Sequence, residues 1–380
     1  MTGQVAEARL WSVQATARTL WHVVALTDRD GQTGWGEATL EGQTAALEAL
    51  APALLATLPG RMAGNPQAAT TGLPYGTLPQ AALSSAVEQA LWDLAARRAG
   101  QSLAELLGGP QRDRIGLYAN FNRRTRNRSP EGMVASLQDA VAAGFTAFKI
   151  APFDEVRPDQ TRVEMRAAMQ PGLHRLAAIR AALGADARLM ADCHWRFDRA
   201  GAEELIDACE GLGLYWLECP IPENAGTIAD IAALRRKANA KGMRLAGLET
   251  EIRREGFAPW LRAGACDVMM PDVKYAGGPA EMLALAEDFA RHGVAFSPHN
   301  PSGPVCHAQS LHLCAALAQT DLLEVQFDET PVFDGLAGLP LTAMVGGTVA
   351  LPAATPGFGF VPDLHAHGAT LHFSTGKTAR

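Results

Sequence analysis

From residue 114 onward, the chain repeats one pattern: a short apolar run ends in a polar residue, and an amphipathic helical segment follows most of these runs. Continuous apolar runs, unlike alternating ones, indicate strands that are buried on both faces, as in a parallel sheet. The eight runs cover residues 115–120, 146–150, 188–192, 214–218, 244–249, 267–272, 294–299 and 322–326. Eight buried strands that alternate with helices predict an α/β fold of the TIM-barrel type.

The first hundred residues differ from this pattern and predict an α+β unit. Two β-rich runs, at residues 5–13 and 20–28, are typical of antiparallel strands, and a turn is predicted at residues 34–37 (Gly-Trp-Gly-Glu). Helical periodicity follows at residues 44–58 and 81–98. The amino-terminal unit therefore combines antiparallel strands with two helices.

The carboxy-terminal tail, residues 346–380, has strand-like pieces and no further strand–helix unit. We expect it to return to the amino-terminal unit. The predicted organisation is a capping domain at residues 1–113, completed by about 346–380, and a catalytic barrel at residues 114–345.

Charge and cysteine content narrow the class of protein. Lys and Arg number 33 and Asp and Glu 40, so the formal net charge is −7 and no attraction to nucleic acid is expected.

The most apolar stretch, residues 45–58, contains Glu48 and Pro52, which argues against a membrane span. Glu7 and Arg9 interrupt the start of the chain before a signal-peptide core forms. Six scattered cysteines without a CxxC pair indicate reduced thiols, so we expect a cytoplasmic protein.

Polar residues stand at or just after the ends of the predicted barrel strands, where the side chains of a TIM barrel meet at one mouth. They are Lys149, Asp192, His194, Glu218, Glu249, Asp272, His299 and Glu324. Three carboxylates on successive strands, Asp192, Glu218 and Glu249, offer the oxygen ligands that Mg²⁺ requires. Any one of them alone could be a solvated strand end, but three in succession predict a metal site.

Asp272 and His299, on adjacent predicted strands, form a candidate dyad in which the carboxylate orients the imidazole and raises its basicity. A lone histidine is usually structural, but this one stands beside three candidate ligands. Lys149 is the only charge in its apolar run, which is costly unless the site uses it. Its ammonium would stabilise negative charge on a substrate carboxylate.

Together these motifs resemble the enolase superfamily, in its mandelate racemase branch. The resemblance covers essentially the whole chain. Besides the strand-end residues, it rests on Trp-Gly-Glu at 35–37, AVEQALWDLAARRAGQSLAELLGG at 86–109 and Pro-Gly-Phe-Gly at 356–359. It implies a (β/α)7β barrel with a capping domain built from both ends of the chain, and a homo-oligomer.

The resemblance also implies the role of each strand-end residue. Asp192, Glu218 and Glu249 would be Mg²⁺ ligands, with Glu251 as a competitor for the third position. The Asp272–His299 dyad would act as the base. Glu324 would be the last-strand acid near the substrate carboxylate. Cys219 departs from the family pattern, in which an acidic residue commonly follows the second ligand.

Two stretches look most like the galactonate- and mannonate-type sugar-acid dehydratases: Asp-Cys-His-Trp-Arg-Phe at 192–197 and Ser-Pro-His-Asn-Pro-Ser-Gly-Pro at 297–304. Racemases of the family carry a second base two residues after Lys149, where this chain has Ala151. Elimination requires one base and one acid, and His299 can remove the α-proton while His194, or His299 itself, protonates the leaving hydroxide. These residues favour dehydration of an acid sugar, an aldonate or aldarate.

Three other functions remain possible on the sequence alone. The same chemistry would serve a racemase, an epimerase or a sugar-lactone cycloisomerase. A barrel without catalysis could be a binding protein, and a metal-dependent hydrolase would use histidine-rich zinc sites, for which no strand-end pair is present. The segment 15–21 is the candidate for substrate specificity, which the sequence does not decode. The arginine-rich loop 122–128 is interpreted first as a solvated or intersubunit loop, with contact to a distal carboxylate of an aldarate as the alternative.

Overall fold

The computed structural model describes residues 3–353 and 355–376; residues 1–2, 354 and 377–380 lie outside the described residues. Part of the predicted cap, including the end of the tail, therefore has no structural description. The strands are β1 (Val5–Gln14), β2 (Leu20–Asp28), β3 (Thr33–Glu37), β4 (Arg114–Asn120), β5 (Ala147–Ile150), β6 (Arg188–Asp192), β7 (Leu214–Glu218), β8 (Arg244–Gly247), β9 (Val268–Met269), β10 (Ala295–Phe296), β11 (Leu323–Gln326), β12 (Thr348–Ala350) and β13 (Thr370–Ser374).

Helices separate the barrel strands and complete the cap. They are α1 (Thr44–Leu55), α2 (Pro66–Ala69), α3 (Leu78–Ala99), α4 (Leu103–Leu106), α5 (Pro130–Ala142), α6 (Arg162–Leu183), α7 (Arg199–Ala208), α8 (Ile228–Ala240), α9 (Arg253–Ala263), α10 (Pro279–Arg291), α11 (Pro304–Ala316) and α12 (Val332–Ala337). No helix in the described part of the chain is long and apolar enough to cross a membrane.

The predicted parallel barrel is confirmed. Strands β4 to β10 lie side by side in chain order, β11 pairs with β4, and every one of these pairings is parallel. The backbone N–H of Asp321, just before β11, donates to the carbonyl of Phe296 in β10 at 2.8 Å, which joins the two ends of the sheet. Strands β9 and β10 are two residues long, so Asp272 and His299 lie in the loops that follow them.

The predicted turn at residues 34–37 is wrong: these residues belong to β3, which pairs antiparallel with β2. Its glycines permit close packing rather than a reversal of the chain. A Cβ added at Gly34 would lie 2.1 Å from the Ala90 carbonyl oxygen, and one at Gly36 would lie 2.0 Å from that of Ala86. Helix α3 therefore rests directly on the backbone of β3.

Helix α3 is buried on nearly all sides because it lies between the cap sheet and the barrel. The Thr77 side chain accepts a hydrogen bond from Gln80 N at its start, and Gly100, in the left-handed conformation, ends it. Its apolar residues pack into the cap core beside Leu10, Val24 and Leu47.

The tail divides between the two parts of the molecule. Strand β13 pairs antiparallel with β1 and is an edge strand of the four-stranded cap sheet, in the order β13-β1-β2-β3. Strand β12 pairs antiparallel with the start of β4, at the end of the barrel opposite the carboxyl ends of the strands. The cap sheet thus contains strands from both ends of the chain.

Candidate active site

A cavity of about 470 Å³ opens at the carboxyl ends of the barrel strands. The predicted site residues in its lining are Lys149, Asp192, His194, Glu249, His299 and Glu324. The other two, Glu218 and Asp272, are buried beside it, in contact with Lys149 and His299. The fold thus brings together residues that are up to 175 positions apart in the chain, because they lie in or just after seven neighbouring barrel strands.

Lys149 is the cation at the base of this cavity. Its Nζ lies 2.6 Å from Glu218 Oε1, 2.9 Å from Glu324 Oε1 and 3.8 Å from Asp192 Oδ2, and its side chain is 1% exposed. Burial opposes its charged form, but Glu218 and Glu324 outweigh this and raise the pKa of Lys149 well above the usual lysine value. The ammonium is therefore charged at neutral pH.

The three predicted metal ligands concentrate negative charge around this lysine. Asp192 and Glu218 are direct neighbours in the pairing of β6 and β7, and one ligand atom from each, with Cys219 Sγ, lies within 4.8 Å of the others. Burial raises the pKa of Glu218 to about 8, with Lys149 opposing and the neighbouring carboxylates adding to the shift. Glu249 is not part of that close group, but its charge acts on Asp192 and Glu218. Two adjacent carboxylates with a third nearby fit a divalent cation such as Mg²⁺.

Glu249, rather than Glu251, lines the cavity. Glu251 accepts a hydrogen bond from Trp260 Nε1 at 3.0 Å, on the α9 side of the loop. Glu249 Oε1 lies 3.5 Å from His299 Nε2. Of the two candidates for the third ligand, only Glu249 faces the other site residues.

The backbone is left-handed next to all three carboxylates. Four residues other than glycine have positive φ here: His194 (47°), Trp195 (56°), Cys219 (45°) and Leu248 (74°). Such conformations cost about 1 kcal/mol or more each and persist where the surroundings enforce them, often at functional sites.

Glu223, which was not predicted as a site residue, contacts two of the residues with positive φ, Trp195 and Leu248. Its Oε2 accepts from Trp195 Nε1 and its Oε1 accepts from the backbone N–H of Leu248, both at 3.0 Å. The carboxylate therefore connects the loop that carries His194 with the loop that carries Glu249.

Asp272 and His299 form the predicted pair, with His299 Nδ1 2.8 Å from Asp272 Oδ2. Asp272 Oδ1 accepts from the backbone N–H of Lys274 at 2.8 Å, which fixes the carboxylate. Burial works against a charged imidazole, but Glu249 and Asp272 outweigh it and raise the pKa of His299. The ring is therefore a stronger base than an isolated histidine.

His194 lies at the cavity in contact with Asp192. Its Nε2 lies 2.9 Å from Asp192 Oδ2, and its backbone N–H donates to Asp192 Oδ1 at 2.9 Å. Asp192 raises the pKa of His194 to about 9 despite the opposing effect of burial. The imidazole is half-exposed towards the cavity, so a ligand can reach it.

Two further contacts of the site residues were not predicted. Trp216, interpreted from the sequence as packing or pocket wall, donates from Nε1 to Glu218 Oε2 at 2.9 Å. Its position two residues before Glu218 on a strand, and hence on the same face, is a signal that could have revealed this contact. Asn120 ends the first barrel strand and donates to Glu324 Oε1 at 2.8 Å.

The predicted specificity segment and the arginine-rich loop lie beside this cavity. Residues 16–19 and 122–126 line a second cavity of about 1080 Å³, which shares Arg123 and His194 with the first. Arg123 is 2.7 Å from Glu41 of the cap and 3.3 Å from Glu329 of the barrel. The arginine-rich loop therefore stands where the cap meets the mouth of the barrel.

Comparisons with known proteins match both parts of the chain. Residues 7–108 match the model of the mandelate racemase/muconate lactonizing enzyme N-terminal domain, and residues 132–366 match that of the enolase C-terminal domain-like family.

Two curated relatives and a solved structure are similar over much of the chain. A D-galactonate dehydratase of Verminephrobacter eiseniae is 31% identical over 77% of this chain and 75% of its own length. A D-gluconate dehydratase of Thermoproteus tenax is 34% identical over 65% of this chain and 48% of its own length. The crystal structure of an enolase from Agrobacterium radiobacter with bound Na and L-malate aligns with a TM-score of 0.81 at 26% identity, covering 96% of this chain and 94% of that one.

Proposed function

The chain belongs to the mandelate racemase/muconate lactonizing enzyme family of enolase-like proteins, and on this premise we propose that it is a Mg²⁺-dependent acid-sugar dehydratase. The observation that carries the proposal is a single cavity at which His299, oriented by the buried Asp272, meets a second histidine, Lys149 and the carboxylates of Asp192 and Glu249, with Glu218 buried beside them. The proposed reaction removes the α-proton of an aldonate or aldarate, eliminates the 3-hydroxyl and gives a 2-keto-3-deoxy acid.

Asp192, Glu218 and Glu249 would hold the cation. A proton next to a carboxylate is removed readily only beside concentrated positive charge, which a divalent cation at these residues and the Lys149 ammonium would supply. The bound Na and L-malate of the Agrobacterium structure support a site of this kind for a cation and a carboxylic acid.

His299 is the proposed base. Its Nδ1 is held by Asp272, so Nε2 accepts the α-proton and the electron pair of the C–H bond moves into the carboxylate as the C2 carbanion forms. Lys149 neutralises part of that charge. Glu324, whose Oε1 lies 2.9 Å from Lys149 Nζ, is the proposed acid near the substrate carboxylate.

His194 is the proposed acid for the second step. The electron pair at C2 forms the C2–C3 double bond while the C3–O bond breaks, and His194 donates its proton so that the hydroxide leaves as water. The enol that remains takes up a proton at C3 and becomes the 2-keto-3-deoxy acid. His299, protonated by the first step, is the alternative donor for the leaving group.

Two observations favour elimination over racemisation or epimerisation. Position 151 has only a methyl group, and its backbone N–H donates to Asn122 Oδ1 at 2.8 Å, so it offers no base opposite His299. The two dehydratase relatives are hydro-lyases of sugar acids. A cytoplasmic location, consistent with six free, buried cysteines, and a homo-oligomeric state are parts of the same proposal.

The test is a screen of the purified protein with Mg²⁺ against aldonic and aldaric acids, with detection of 2-keto-3-deoxy products. We expect turnover of at least one acid, abolished by EDTA and by His299→Asn. No product from any acid would overturn the dehydratase. Exchange of the α-proton with deuterated solvent in that case would favour an epimerase or a lactone cycloisomerase.

A further inference from the structure

Lys274 is a second buried lysine of the barrel, behind the Asp272–His299 pair. Its Nζ lies 2.6 Å from Asp272 Oδ2, the oxygen that also contacts His299 Nδ1 at 2.8 Å. The ammonium also donates to Ser302 Oγ and lies 3.9 Å from Cys306 Sγ. Lys274 lines the cavity, but its ammonium is hydrogen-bonded to these protein acceptors.

The charge on Lys274 is well supported. Burial opposes it, but Asp272 outweighs burial and raises the pKa of Lys274 above the usual value. A buried ammonium without a carboxylate would be very costly, and so would a buried carboxylate without a cation. Lys274 and Asp272 therefore stabilise each other's charged form.

The same lysine borders the contact between the barrel and the cap. Ser302 precedes Gly303, whose backbone N–H donates to Glu37 Oε1 at 2.7 Å; the N–H of Cys306 donates to Glu37 Oε2 at 2.9 Å. Glu37 ends β3 of the cap and is fully buried. The loop that carries His299 is thus held from one side by Lys274 and from the other by the cap.

We propose that Lys274 is a positioning residue for the base: its ammonium fixes the Asp272 carboxylate that holds His299, and connects this pair to the loop anchored on Glu37. The proposal rests on the proposed function, because it assigns Lys274 its role through His299. Although Lys274 borders the cavity, the role assigned to it acts through Asp272. A misplaced base slows proton transfer more than it weakens substrate binding, so the effect should appear in kcat rather than in KM.

The kinetic test compares Lys274→Met with Gln89→Met. Gln89 donates from Nε2 to the carbonyls of Glu37 at 3.2 Å and Val273 at 3.4 Å, so it joins the same cap and barrel segments without touching Asp272. We expect Lys274→Met to lower kcat by roughly 10- to 100-fold with KM within about threefold. Gln89→Met should lower the unfolding temperature and leave kcat of the folded enzyme unchanged. Equal kcat values for wild type and Lys274→Met, or equal losses in both variants, would overturn the proposal.

Rescue of Lys274→Ala separates a missing ammonium from a general defect. This variant lacks the part of the side chain that propylammonium reproduces. We expect propylammonium to restore kcat in a saturable manner, whereas tetramethylammonium, which has no N–H to donate, should not. Restoration by neither or by both would count against the role of the ammonium.

A spectroscopic measurement decides the proposal without any turnover. The low-field proton resonance of the His299 Nδ1–H, assigned by its loss in His299→Asn, should shift or disappear in Lys274→Ala and return with propylammonium. If the wild type turns over no acid sugar, the proposed function is wrong. The His299 resonance then still tests whether Lys274 positions the Asp272–His299 pair. An unchanged resonance in a folded Lys274→Ala protein would refute the proposal.

Discussion

Glu249 Oε1 lies 3.5 Å from His299 Nε2, so the third proposed metal ligand and the proposed base face each other across the cavity. The other ring nitrogen of His299 is held by Asp272. Nε2 is therefore the ring nitrogen left to serve as the proposed base. The distance between the two side chains is short enough to couple binding of a cation with the orientation of the base.

Glu249→Gln should impair Mg²⁺ binding, whereas Glu251→Gln should not. Loss of one negative ligand from three should weaken Mg²⁺ at least about tenfold. Glu251 is a matched control, since it lies two residues away and contacts Trp260 instead of the cavity. Calorimetric titration of the metal-free proteins with Mg²⁺ checks this. Equal weakening in both variants would mean that the third ligand has been assigned to the wrong residue.

Substitution of His299 and of His194 should affect α-proton removal and loss of the 3-hydroxyl differently. His299→Asn should reduce α-proton exchange in deuterated solvent and product formation by at least about 100-fold each, because the base is lost. His194→Asn should keep exchange within about tenfold of wild type while elimination falls by about 100-fold. His292→Asn, at the exposed end of α10, is the control. Elimination at the wild-type rate in His194→Asn would assign the acid role to His299 itself.

Gly36→Ala should destabilise the cap. The new Cβ would lie 2.0 Å from the Ala86 carbonyl oxygen, so α3 must move away from β3, at a cost on the order of 3 kcal/mol. Gly64→Ala is the control, since nothing lies within 4 Å of its Cβ position and its φ is not positive. Urea unfolding of both variants provides the measurement, and equal midpoints would contradict the close packing of α3 on this strand.

Glu88 should make stability depend on pH. This carboxyl is buried between α3 and the start of α10; burial raises its pKa to about 8 from an ordinary value near 4.5. The folded protein therefore binds this proton more tightly than the unfolded chain does. The stability that the protonated carboxyl contributes is fully present below about pH 4.5 and is lost as the pH rises to about 8. Glu88→Gln keeps an acceptor for Trp92 Nε1 and cannot ionise.

The measurement for Glu88 is the free energy of unfolding of both proteins from pH 5 to pH 9. As the pH rises towards 8, the unfolding free energy of Glu88→Gln should increase relative to that of the wild type by up to about 1.4 kcal/mol per pH unit. Above pH 8 the difference between the two proteins should stay constant. A difference that does not change with pH would show that the carboxyl is ionised throughout.

The barrel could be predicted because its determinants are local. A strand buried on both faces must be apolar along its whole length, so each run is visible in the sequence, and the polar residue that ends it marks the mouth. For this reason Lys149, Asp192, Glu218 and Glu324 could be placed at one site before any contact was known. The turn predicted at residues 34–37 was wrong because glycine occurs both in chain reversals and where two backbones pack closely. The local sequence does not distinguish these two roles, whereas the position of α3 does.

Hydrophobic periodicity and residue type are local properties, so the barrel, the antiparallel unit before it and the polar residues at the strand ends were predictable from the residues alone. Three features required the folded chain: that Glu249 rather than Glu251 faces the cavity, that Lys274 shares an oxygen of Asp272 with His299, and that Glu37 of the cap holds the loop after β10. Such contacts join residues up to hundreds of positions apart. Their geometry depends on how the cap, the helices and the loops pack together, which no local pattern encodes.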